Sequence, residues 1–416
     1  MIQKEISESS SGQCPMLKSP RKLRAAMVSY SFYEFDARVK RYAETLARRG
    51  DHVDVISLRR AGQDIYSKIN GVQVFRIQER ERNEKGRLSF LGRLIKFFVK
   101  SSIFISRQHL KIPYDLIHVH SVPDFEVFAA FLPKLLGTRI ILDIHDLVPE
   151  FYASKFNGGA DSLLFKTLVF IEKASGKFAD HVIISNHIWE NVLVGRSIKK
   201  NKCSTVLNYP DPSIFYPRPR QKSDEKIIMI YPGSLHWHQG VDIAINAFQS
   251  IKDKVPEAEF HIYGGGKQRD YLVSLIQKLG LQDRVIIKPY LPLEKIADLI
   301  AAADIGVVPK RNDPFGGEAF STKILEFMTL GVPVIVSRTK IDEHYFNESV
   351  VKFFTPEDVS DLADAMLRMI KDRGMRESLV KNASSFAKDF SWEKRKREYL
   401  DLVDRLANRR ERMLPS

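Results

Sequence analysis

The stretch of sequence that decides the fold is PKRNDPFGGEAFSTKILEFMTLGVPVIVS, residues 309–337. An apolar run at residues 305–309 leads into it and a second one closes it at 334–337, so both ends have the composition of buried strands. The Asp-Pro and Gly-Gly pairs mark a loop, and Ser321 or Thr322 can cap a helix that follows. Gly331 and Pro333 end that helix before the next strand. The stretch therefore predicts a strand–loop–helix–strand unit of a parallel sheet.

The start of this helix has the chemistry of an anion site. Its first turn exposes backbone N–H groups and the positive end of the helix dipole, which together suit a diphosphate. Lys323 adds a cation at the same end, while Glu318 lies in the preceding loop and Glu326 lies one turn into the helix. The Glu326 carboxylate can accept two hydrogen bonds from vicinal hydroxyls, such as those of a ribose. The alternative is that Glu326 only neutralises Lys323 on a solvated face.

The same alternation of strand and helix extends through the rest of the 416 residues. Further apolar runs rich in β-branched residues occur at 25–30, 53–58, 72–77, 116–120, 140–144 and 182–185, and again at 227–231, 260–263 and 285–288. A proline-rich linker at 208–226 separates the two series. We therefore expect an α/β fold with two doubly wound, Rossmann-like domains facing a cleft, where ligands bind beyond the carboxyl ends of the strands.

This pattern divides the chain into four segments. Residues 1–20 are polar and predict a disordered tail, residues 21–210 an N-terminal domain and residues 220–394 a C-terminal domain. The last segment, about 395–416, belongs to a final helix that we expect to dock back on the N-terminal domain. The apolar face of this helix consists of Trp392, Tyr399, Val403 and Leu406.

The motifs of the second half resemble the C-terminal domain of glycosyltransferase family 4. They are the Glu318-x7-Glu326 pair before GVPVIVS, together with YPGSLHWHQGVDIAINAF (231–248), FHIYGGGKQRDYLVSLIQKLGLQDRV (260–285) and IADLIAAADIGVVP (296–309). The resemblance covers most of residues 21–406 and implies the GT-B fold, in which two Rossmann-like domains face a cleft. It also implies transfer of a sugar, with retention of configuration, from a nucleotide-diphosphate donor to an acceptor, without a cofactor.

Roles for individual residues also follow from the resemblance. Glu318 would contact hydroxyls of the transferred sugar, and Glu326 would hold the nucleotide ribose. The backbone of residues 321–323 would bind the distal phosphate. A glycine turn after a strand, with Gly264 and Gly265, would let the nucleotide approach the backbone, because glycine has no Cβ.

The first loop of the C-terminal domain departs from the family's pattern. Many relatives carry an arginine directly after the glycine that is Gly233 here, and a lysine before the second glycine, and both bind the diphosphate. This chain has Ser234 and Gln239 at those positions. We therefore expect the diphosphate to be neutralised differently or less strongly, and the candidate cations elsewhere are Lys310, Arg311 and Lys323.

Two pairs of histidines have a spacing that metal sites use. His236 and His238 share a loop, whereas His118 and His120 alternate on one strand and so point the same way. Neither pair has an obvious third ligand, and GT-B enzymes generally do without a catalytic metal. We therefore expect no metal and interpret His120 as lining of the cleft on the acceptor side.

The N-terminal domain offers candidates in two loops. In ILDIHDLVPEFY (141–152), His145 directly follows a strand, and a histidine at this place contacts the donor sugar in the resembled family. The alternative is that Asp146 caps a helix and His145 only lines the cleft. In SYSFYEFDARVKR (29–41), bulky and charged residues replace the family's Gly-Gly pair. There Asp36 and Arg38 are either acceptor-side groups or a structural ion pair.

The net charge of +14 points to an anionic partner. In the segment 85–111, a helical wheel places an apolar stripe for the core opposite a basic face that is flanked by further aromatic residues. The stripe is Leu88, Leu91, Leu94, Ile95, Phe98 and Ile105, the basic residues are Arg93, Lys96 and Lys100, and the flanking residues are Phe90, Phe97 and Phe104. This pattern favours an interfacial helix on an anionic membrane surface, which would suit a lipid-linked acceptor.

The remaining features of the sequence set the expected setting of the protein. Its N-terminus has no apolar signal-peptide core, and its two cysteines, Cys14 and Cys203, do not suggest a disulfide. We expect a cytoplasmic enzyme, peripheral at the inner face of the membrane, that acts in surface or exopolysaccharide assembly. The alternatives are a GT-B sugar-nucleotide epimerase, a non-enzymatic basic protein of the membrane surface, and a nucleic-acid-binding protein. The last is disfavoured because the basic residues are not interleaved with stacking aromatics.

Overall fold

The computed structural model describes residues 22–80, 87–156, 161–218 and 226–411. The tail predicted for residues 1–20 lies outside these ranges. Within them the chain forms two β-sheets with helices packed on both.

The first sheet has eight strands in the order β3-β4-β2-β1-β5-β6-β7-β8. All neighbouring strands are parallel except β3 and β4. The strands are β1 (Arg24–Ser29), β2 (His52–Arg59), β3 (Tyr66–Ile69), β4 (Val72–Glu79), β5 (Leu116–His120), β6 (Arg139–Ile144), β7 (His181–Ile184) and β8 (Cys203–Thr205).

The second sheet has six strands, all parallel, in the order β11-β10-β9-β12-β13-β14. They are β9 (Ile227–Pro232), β10 (Ala258–Tyr263), β11 (Val285–Lys288), β12 (Ile305–Val308), β13 (Val334–Ser337) and β14 (Lys352–Phe354). Numbered within the sheet this is the order 3-2-1-4-5-6 of a doubly wound nucleotide-binding domain.

The helices cover both faces of each sheet. In the N-terminal half they are α1 (Ala37–Arg49), α2 (Arg87–Lys111), α3 (Phe131–Leu135), α4 (Val148–Phe156), α5 (Leu163–Phe178) and α6 (His187–Arg196). In the C-terminal half they are α7 (Val241–Ile251), α8 (Arg269–Lys278), α9 (Leu293–Ala302), α10 (Thr322–Thr329), α11 (Lys340–Tyr345), α12 (Val359–Lys371), α13 (Arg373–Asp389) and α14 (Trp392–Glu411).

The strand order fixes where each domain can bind a ligand. In the second sheet the order reverses between β9 and β12, and in the first sheet it reverses between β1 and β5. Loops that leave the carboxyl ends of adjacent strands at such a point diverge to opposite faces of the sheet and open a crevice between them. The predicted fold class, with two doubly wound Rossmann-like domains, is confirmed.

The final helix, α14, docks on the N-terminal domain as predicted. Its predicted apolar face is buried, because Trp392, Tyr399, Val403 and Leu406 are at most 5% exposed. Polar contacts fix its position: Trp392 Nε1 donates to Thr45 Oγ1 at 2.9 Å, and the Tyr399 hydroxyl lies 3.1 Å from His118 Nδ1. The chain therefore ends by crossing back from the second domain to the first.

Helix α2 corrects the predicted orientation of its segment. Leu91 and Ile95, expected in the core, are about half exposed, whereas Phe97, expected beside the basic face, is fully buried. The side chain of Leu88 lies outside the described residues. The inward positions are Leu94, Phe97, Ser101, Ile105 and His109. None of the helices in the described ranges combines the length and the apolar content that crossing a bilayer requires.

Candidate active site

A cavity of about 490 Å³ lies where the two domains meet. Asp36 at the end of the loop after β1 and Arg38 in the first turn of α1 line this cavity, and so does His145 in the loop after β6. The first turns of α10 contribute Thr322 and Glu326. The rest of the lining is largely aromatic or basic and comprises Tyr30, Phe32, Phe35, Arg41, Arg80, Tyr209 and Phe215, together with smaller and other polar residues. The cavity thus joins the carboxyl edge of one sheet to the helix N-terminus predicted as an anion site in the other.

His145 stands on a buried cluster of charged and polar groups. Its Nε2 atom lies 3.2 Å from Asp143 Oδ2 and 3.4 Å from His120 Nδ1. Asp143 is fully buried, and the bidentate Arg38 guanidinium is the main cause that lowers its pKa well below the ordinary value, against the desolvation that raises it. His120, expected to line the cleft, is 1% exposed and lies beneath His145 instead.

His118, His120 and Asp143 lie close enough together to hold a metal ion by distance alone. However, both oxygens of Asp143 already accept from Arg38, at 2.6 and 2.7 Å. The Arg38 guanidinium would repel a divalent cation bound to the same carboxylate. The cluster therefore has the features of a buried ion-pair network.

Asp36 and Arg38 do not pair with each other as their closest partners. Asp36 caps α1 by accepting from the Val39 backbone N–H at 3.0 Å, and it accepts from the Ser31 hydroxyl at 2.8 Å. Arg38 pairs with Asp143 and also donates to the Val206 carbonyl at 2.8 Å. Both residues line the cavity, yet most of their hydrogen-bonding capacity serves the protein interior.

The N-terminus of α10 is the predicted anion site. Ser321 occupies the N-cap position without a capping hydrogen bond, and its hydroxyl is buried without a hydrogen-bond partner in the protein. Thr322 opens the helix and lines the cavity. A phosphate oxygen here would supply the missing partner and could also accept from backbone N–H groups of the first turn.

Lys323 extends from this turn to the loop after β9. Its Nζ atom donates to Gln239 Oε1 at 3.0 Å and lies 5.2 Å from the centre of the Tyr231 ring. Burial lowers the pKa of Lys323 to about 8, while the charge of Glu326 acts in the opposite direction. The Tyr231 hydroxyl also donates to Gln239 Oε1, at 3.0 Å. Gln239, which replaces the family's lysine, therefore orients Lys323.

Glu326 lies one turn further along α10 and lines the same cavity. Burial raises its pKa to about 7, and the positive charge of Lys323 partly counteracts this. The solvated ion pair with Lys323 considered above is not what the structure has, because burial perturbs both groups and the Lys323 ammonium binds Gln239. A partly buried carboxylate with spare acceptor capacity is what ribose hydroxyls require.

Lys310 and Arg311, the other candidate cations, are engaged elsewhere. Lys310 is 3% exposed, forms an ion pair with Asp342 at 2.9 Å and donates to the Ala319 carbonyl. Arg311 pairs with both carboxylate oxygens of Asp242, at 3.0 and 2.7 Å. Their charges are neutralised inside the domain, so Lys323 is the candidate cation left at the helix N-terminus.

Close packing explains two of the candidate glycines. A Cβ at Gly233 would collide with Cε of Lys323, and Gly233 also has a φ of +150°. A Cβ at Gly264 would collide with the backbone carbonyl of Gly233. These glycines bring the loops after β9 and β10 together and leave room for the Lys323 side chain. Gly265 packs against the ring of Tyr290, whose hydroxyl donates to the Gly265 carbonyl at 2.7 Å.

Glu318 does not line the cavity with His145. Its carboxylate pairs with Lys340 at 2.6 Å, and its backbone carbonyl accepts from Asn186 of the N-terminal domain at 3.1 Å.

The loop after β9 contains three further candidate residues. The Ser234 carbonyl accepts from the Tyr231 hydroxyl at 2.8 Å. His236 and His238 stack with ring centres 5.8 Å apart, and in the described ranges they belong to no cluster of three metal-ligating groups.

Sequence reasoning missed Asp143, Arg41 and Tyr231. Asp143 stands two residues before His145 on β6, so a strand period of two would have placed both on one side. Arg41 is buried, donates to the Tyr209 carbonyl at 2.9 Å and lines the cavity. Arg41 had no separate signal, because its role depends on the segment 206–209 that folds over it.

Two protein-family models match the chain. One, described as a glycosyl transferase 4-like domain, matches residues 36–208. The other, described as glycosyl transferases group 1, matches residues 214–386. The two matches fall on the first and the second sheet respectively.

Individual proteins agree with these models. The chain is 27% identical over 380 residues to an uncharacterized glycosyltransferase of Methanocaldococcus jannaschii, covering 85% of this chain and 90% of that protein. The structure of this chain is similar to that of sucrose-phosphate synthase from Thermosynechococcus elongatus, with a TM-score of 0.75 and 21% identity. The match covers 92% of this chain and 99% of that protein's chain. The structure is also similar to Anabaena HepE in complex with UDP and glucose (TM-score 0.68, 16% identity, 92% and 99%).

Proposed function

The chain belongs to the glycosyltransferases of the family 4 type, which have the GT-B fold, and on that basis we propose that it moves a sugar from a nucleotide-diphosphate donor to an acceptor hydroxyl. One observation carries the proposal: Thr322 and Glu326 of one domain and His145 of the other line a single cavity. The first two would bind the donor's phosphate and ribose, and His145 would face the transferred sugar. The structure of HepE with UDP and glucose, a protein of the same fold, supports this type of donor.

The diphosphate would lie at the N-terminus of α10. The backbone N–H groups of the first turn, the Ser321 hydroxyl and Lys323 would bind the phosphate oxygens and stabilise the charge that develops as the nucleotide leaves. Domain closure would bring Glu318 and His145 onto the sugar and exclude water, and the hydrogen bond between Asn186 and the Glu318 carbonyl already couples that loop to the N-terminal domain.

Retention of configuration is part of the proposal. In the described ranges, the carboxylates that line the cavity are Asp36, Asp211 and Glu326. Asp36 caps α1, Asp211 accepts from the backbone and hydroxyl of Ser213, and Glu326 is assigned to the ribose. Glu318, which domain closure would bring to the sugar, is assigned to the sugar hydroxyls. The proposal therefore assigns no carboxylate to attack the anomeric carbon, and the leaving phosphate would deprotonate the acceptor on the same face. Mass spectrometry should then find no glycosyl–enzyme adduct, and a trapped adduct would contradict this route.

A donor panel tests the proposed reaction. We expect one of a set of UDP-, GDP- and ADP-sugars to raise the melting temperature by mass action, and the Glu326→Ala variant to lose most of that shift. Glu377→Ala is the matched control, since Glu377 pairs with Arg373 on an exposed helix face. Product formation without an acceptor would instead identify a sugar-nucleotide epimerase.

We further propose that the enzyme works at an anionic membrane surface on a glycan or lipid-linked glycan acceptor. The outward face of α2 carries the exposed apolar residues Leu91, Ile95, Val99 and Ile103, each about half exposed. Exposed basic residues accompany them, namely Lys96, Lys100, Arg107 and Lys111. An apolar stripe beside cations is what a helix needs to lie in the headgroup region of an anionic leaflet.

Vesicle binding tests the membrane proposal. We expect the protein to sediment with vesicles that contain phosphatidylglycerol, and less with pure phosphatidylcholine. The double variant Ile95→Gln, Val99→Gln should bind about 30-fold more weakly, since each substitution removes about 1 kcal/mol of apolar burial. Ile65→Gln is the control, because Ile65 is also an exposed aliphatic residue but lies outside α2. Equal binding by all three proteins would contradict the proposal. A role in surface or exopolysaccharide assembly would follow from such an acceptor.

A further inference from the structure

Asp143 and His145 lie on the same side of the end of β6, separated by one residue. Asp143 is fully buried, whereas the His145 side chain is 22% exposed and lines the cavity. The Asp143 Oδ2 atom is 3.2 Å from His145 Nε2, and the same oxygen accepts from Arg38 Nε at 2.7 Å. One carboxylate therefore connects a buried cation to the imidazole that faces the ligand.

We propose that Asp143, kept ionised by Arg38, is a positioning residue that fixes the ring orientation and the tautomer of His145. The inference rests on the proposed function only for the statement that His145 faces the donor sugar. The tautomer is assigned from the distances within the cluster and does not depend on the proposed function.

The distances determine which nitrogen of His145 carries the proton. An ionised carboxylate oxygen 3.2 Å away repels a lone pair and attracts an N–H group, so the proposal assigns the hydrogen to Nε2. His120 Nδ1 lies 3.4 Å from the same nitrogen, and the proposal assigns its hydrogen to Asp143 and not to His145. His118 and His120 do not compete as cations, because desolvation is the main cause that lowers their pKa values. His120 instead shares the carboxylate as a neutral donor, through Nδ1 at 3.1 Å. With hydrogen on Nε2, the neutral form of the His145 ring has its lone pair on Nδ1.

A fixed lone pair has a definite use in glycosyl transfer. Nδ1 of a neutral imidazole accepts a hydrogen bond from a sugar hydroxyl, and the donor sugar gains positive charge in its transition state. A positive charge on the imidazole ring would oppose the build-up of positive charge on the sugar, whereas an oriented hydrogen-bond acceptor favours it. No proton is transferred in this role, and Asp143 never touches the substrate. The arrangement has the same logic as other carboxylates that set the tautomer of a working histidine.

Nitrogen NMR of the protein labelled with ¹⁵N-histidine tests the tautomer directly and needs no substrate. At pH 8 we expect His145, assigned by its absence from the spectrum of His145→Gln, to carry hydrogen on Nε2 and a lone pair on Nδ1. The Asp143→Asn variant should lose this preference. Glu126→Gln is the matched control, because Glu126 is also a buried carboxyl group of this domain and burial raises its pKa to about 8. Hydrogen on Nδ1 in the wild-type protein would overturn the proposal, and this outcome does not depend on whether Asp143→Asn folds.

Kinetics with the donor found in the panel provide the second test. We expect Asp143→Asn to lower kcat about 100-fold with little change in KM, since it disturbs the orientation of a reacting-site group and leaves the donor contacts intact. In the His145→Ala background the same substitution should have almost no further effect, because it acts through His145. A further 100-fold loss in that background would show a purely structural role and overturn the inference. Full activity of His145→Ala alone would contradict the proposed function of His145 and leave the tautomer result standing.

Discussion

Replacing Lys323 by methionine should make the free protein more stable and at the same time weaken its binding of a nucleoside diphosphate. Burial lowers the Lys323 pKa to about 8, so the folded protein holds this charge at a cost. Methionine has a similar length and no charge. It also leaves Gln239 Oε1 within reach of the Tyr231 hydroxyl, at 3.0 Å, whose single hydrogen is shared with the Ser234 carbonyl at 2.8 Å.

The size and pH range of the stability effect follow from the pKa. Lowering the Lys323 pKa from 10.5 to about 8 corresponds to a cost of about 3 kcal/mol in the free energy of folding. Solvent screening at this partly exposed residue reduces that cost to about 2 kcal/mol. Because the folded pKa is depressed, the unfolded chain binds more protons between pH 8 and pH 10.5, and wild-type stability rises across that interval. The advantage of the variant should therefore be full below pH 8 and disappear near pH 10.5.

Urea denaturation at several pH values and calorimetry with UDP or GDP measure the two effects. The nucleotide should bind about 10- to 100-fold more weakly, as expected for the loss of a charge-assisted contact. Lys310→Met is the control, and we expect it to change the stability in the opposite direction. It leaves Asp342 buried without its cation and should lower the free energy of unfolding by about 3–5 kcal/mol. A Lys323→Met protein that is less stable than wild type at pH 7, or whose advantage persists at pH 10.5, would refute the reasoning.

Three further predictions concern the nucleotide and the last helix. Glu326→Ala should bind a nucleoside diphosphate and its 2′,3′-dideoxy analogue equally in calorimetry, whereas the wild type should prefer the ribose form by about tenfold, the contribution of a hydrogen bond to a charged group. At pH 9, calorimetry in buffers of different ionisation enthalpy should show uptake of nearly one proton per nucleotide, because Lys323 is mostly neutral before binding and charged after it, and Lys323→Met should abolish the uptake. Trp392→Phe should lower the free energy of unfolding by about 1–2 kcal/mol, since it leaves the Thr45 hydroxyl without its indole donor, and unchanged urea midpoints would contradict that role.

The interior strands were predictable because both of their faces are buried. Strands such as β5, β7 and β12 are buried at every position and so appear in the sequence as short continuous apolar runs. The outer strands β3, β8 and β14 were not predicted. They have three or four residues each, and β3 alternates between exposed and partly exposed positions, so neither an apolar run nor a period of two is visible.

Helix α2 shows why a helical wheel alone could not orient its segment. Apolar residues occur on two faces, so the periodicity allows either face to point inward. The structure selects the face that includes Phe97 and Ser101, where the Ser101 hydroxyl contacts the buried Glu126. That choice depends on a partner from a distant part of the chain, and it leaves Ile95 and Val99 on the outside.

The location of the candidate site could be predicted from the sequence, but the cations that are available to a ligand there could not. Ser321, Thr322 and Glu326 were identified because the start of a helix after a strand is a local feature. Whether a cation can bind a ligand depends on residues that are distant in the sequence, because these can pair with it. Lys310 and Arg311 are adjacent to the site in sequence, but Asp342 and Asp242 neutralise them from other elements.

The departure at Ser234 and Gln239 has a consequence for how this enzyme would hold its donor. An arginine and a lysine on an exposed loop keep their charge throughout the physiological pH range, so their attraction for a diphosphate is constant. A buried lysine with a pKa of about 8 is different, because an arriving dianion raises that pKa and draws a proton onto it. In the free protein Gln239 accepts the hydrogen bond that a phosphate oxygen would accept, and the Tyr231 hydroxyl remains on Gln239 when Lys323 turns away. Under the proposed role, the positive charge that binds the diphosphate therefore comes from Lys323 in the first turn of α10 instead of from the loop after β9. This charge forms fully only when the diphosphate binds.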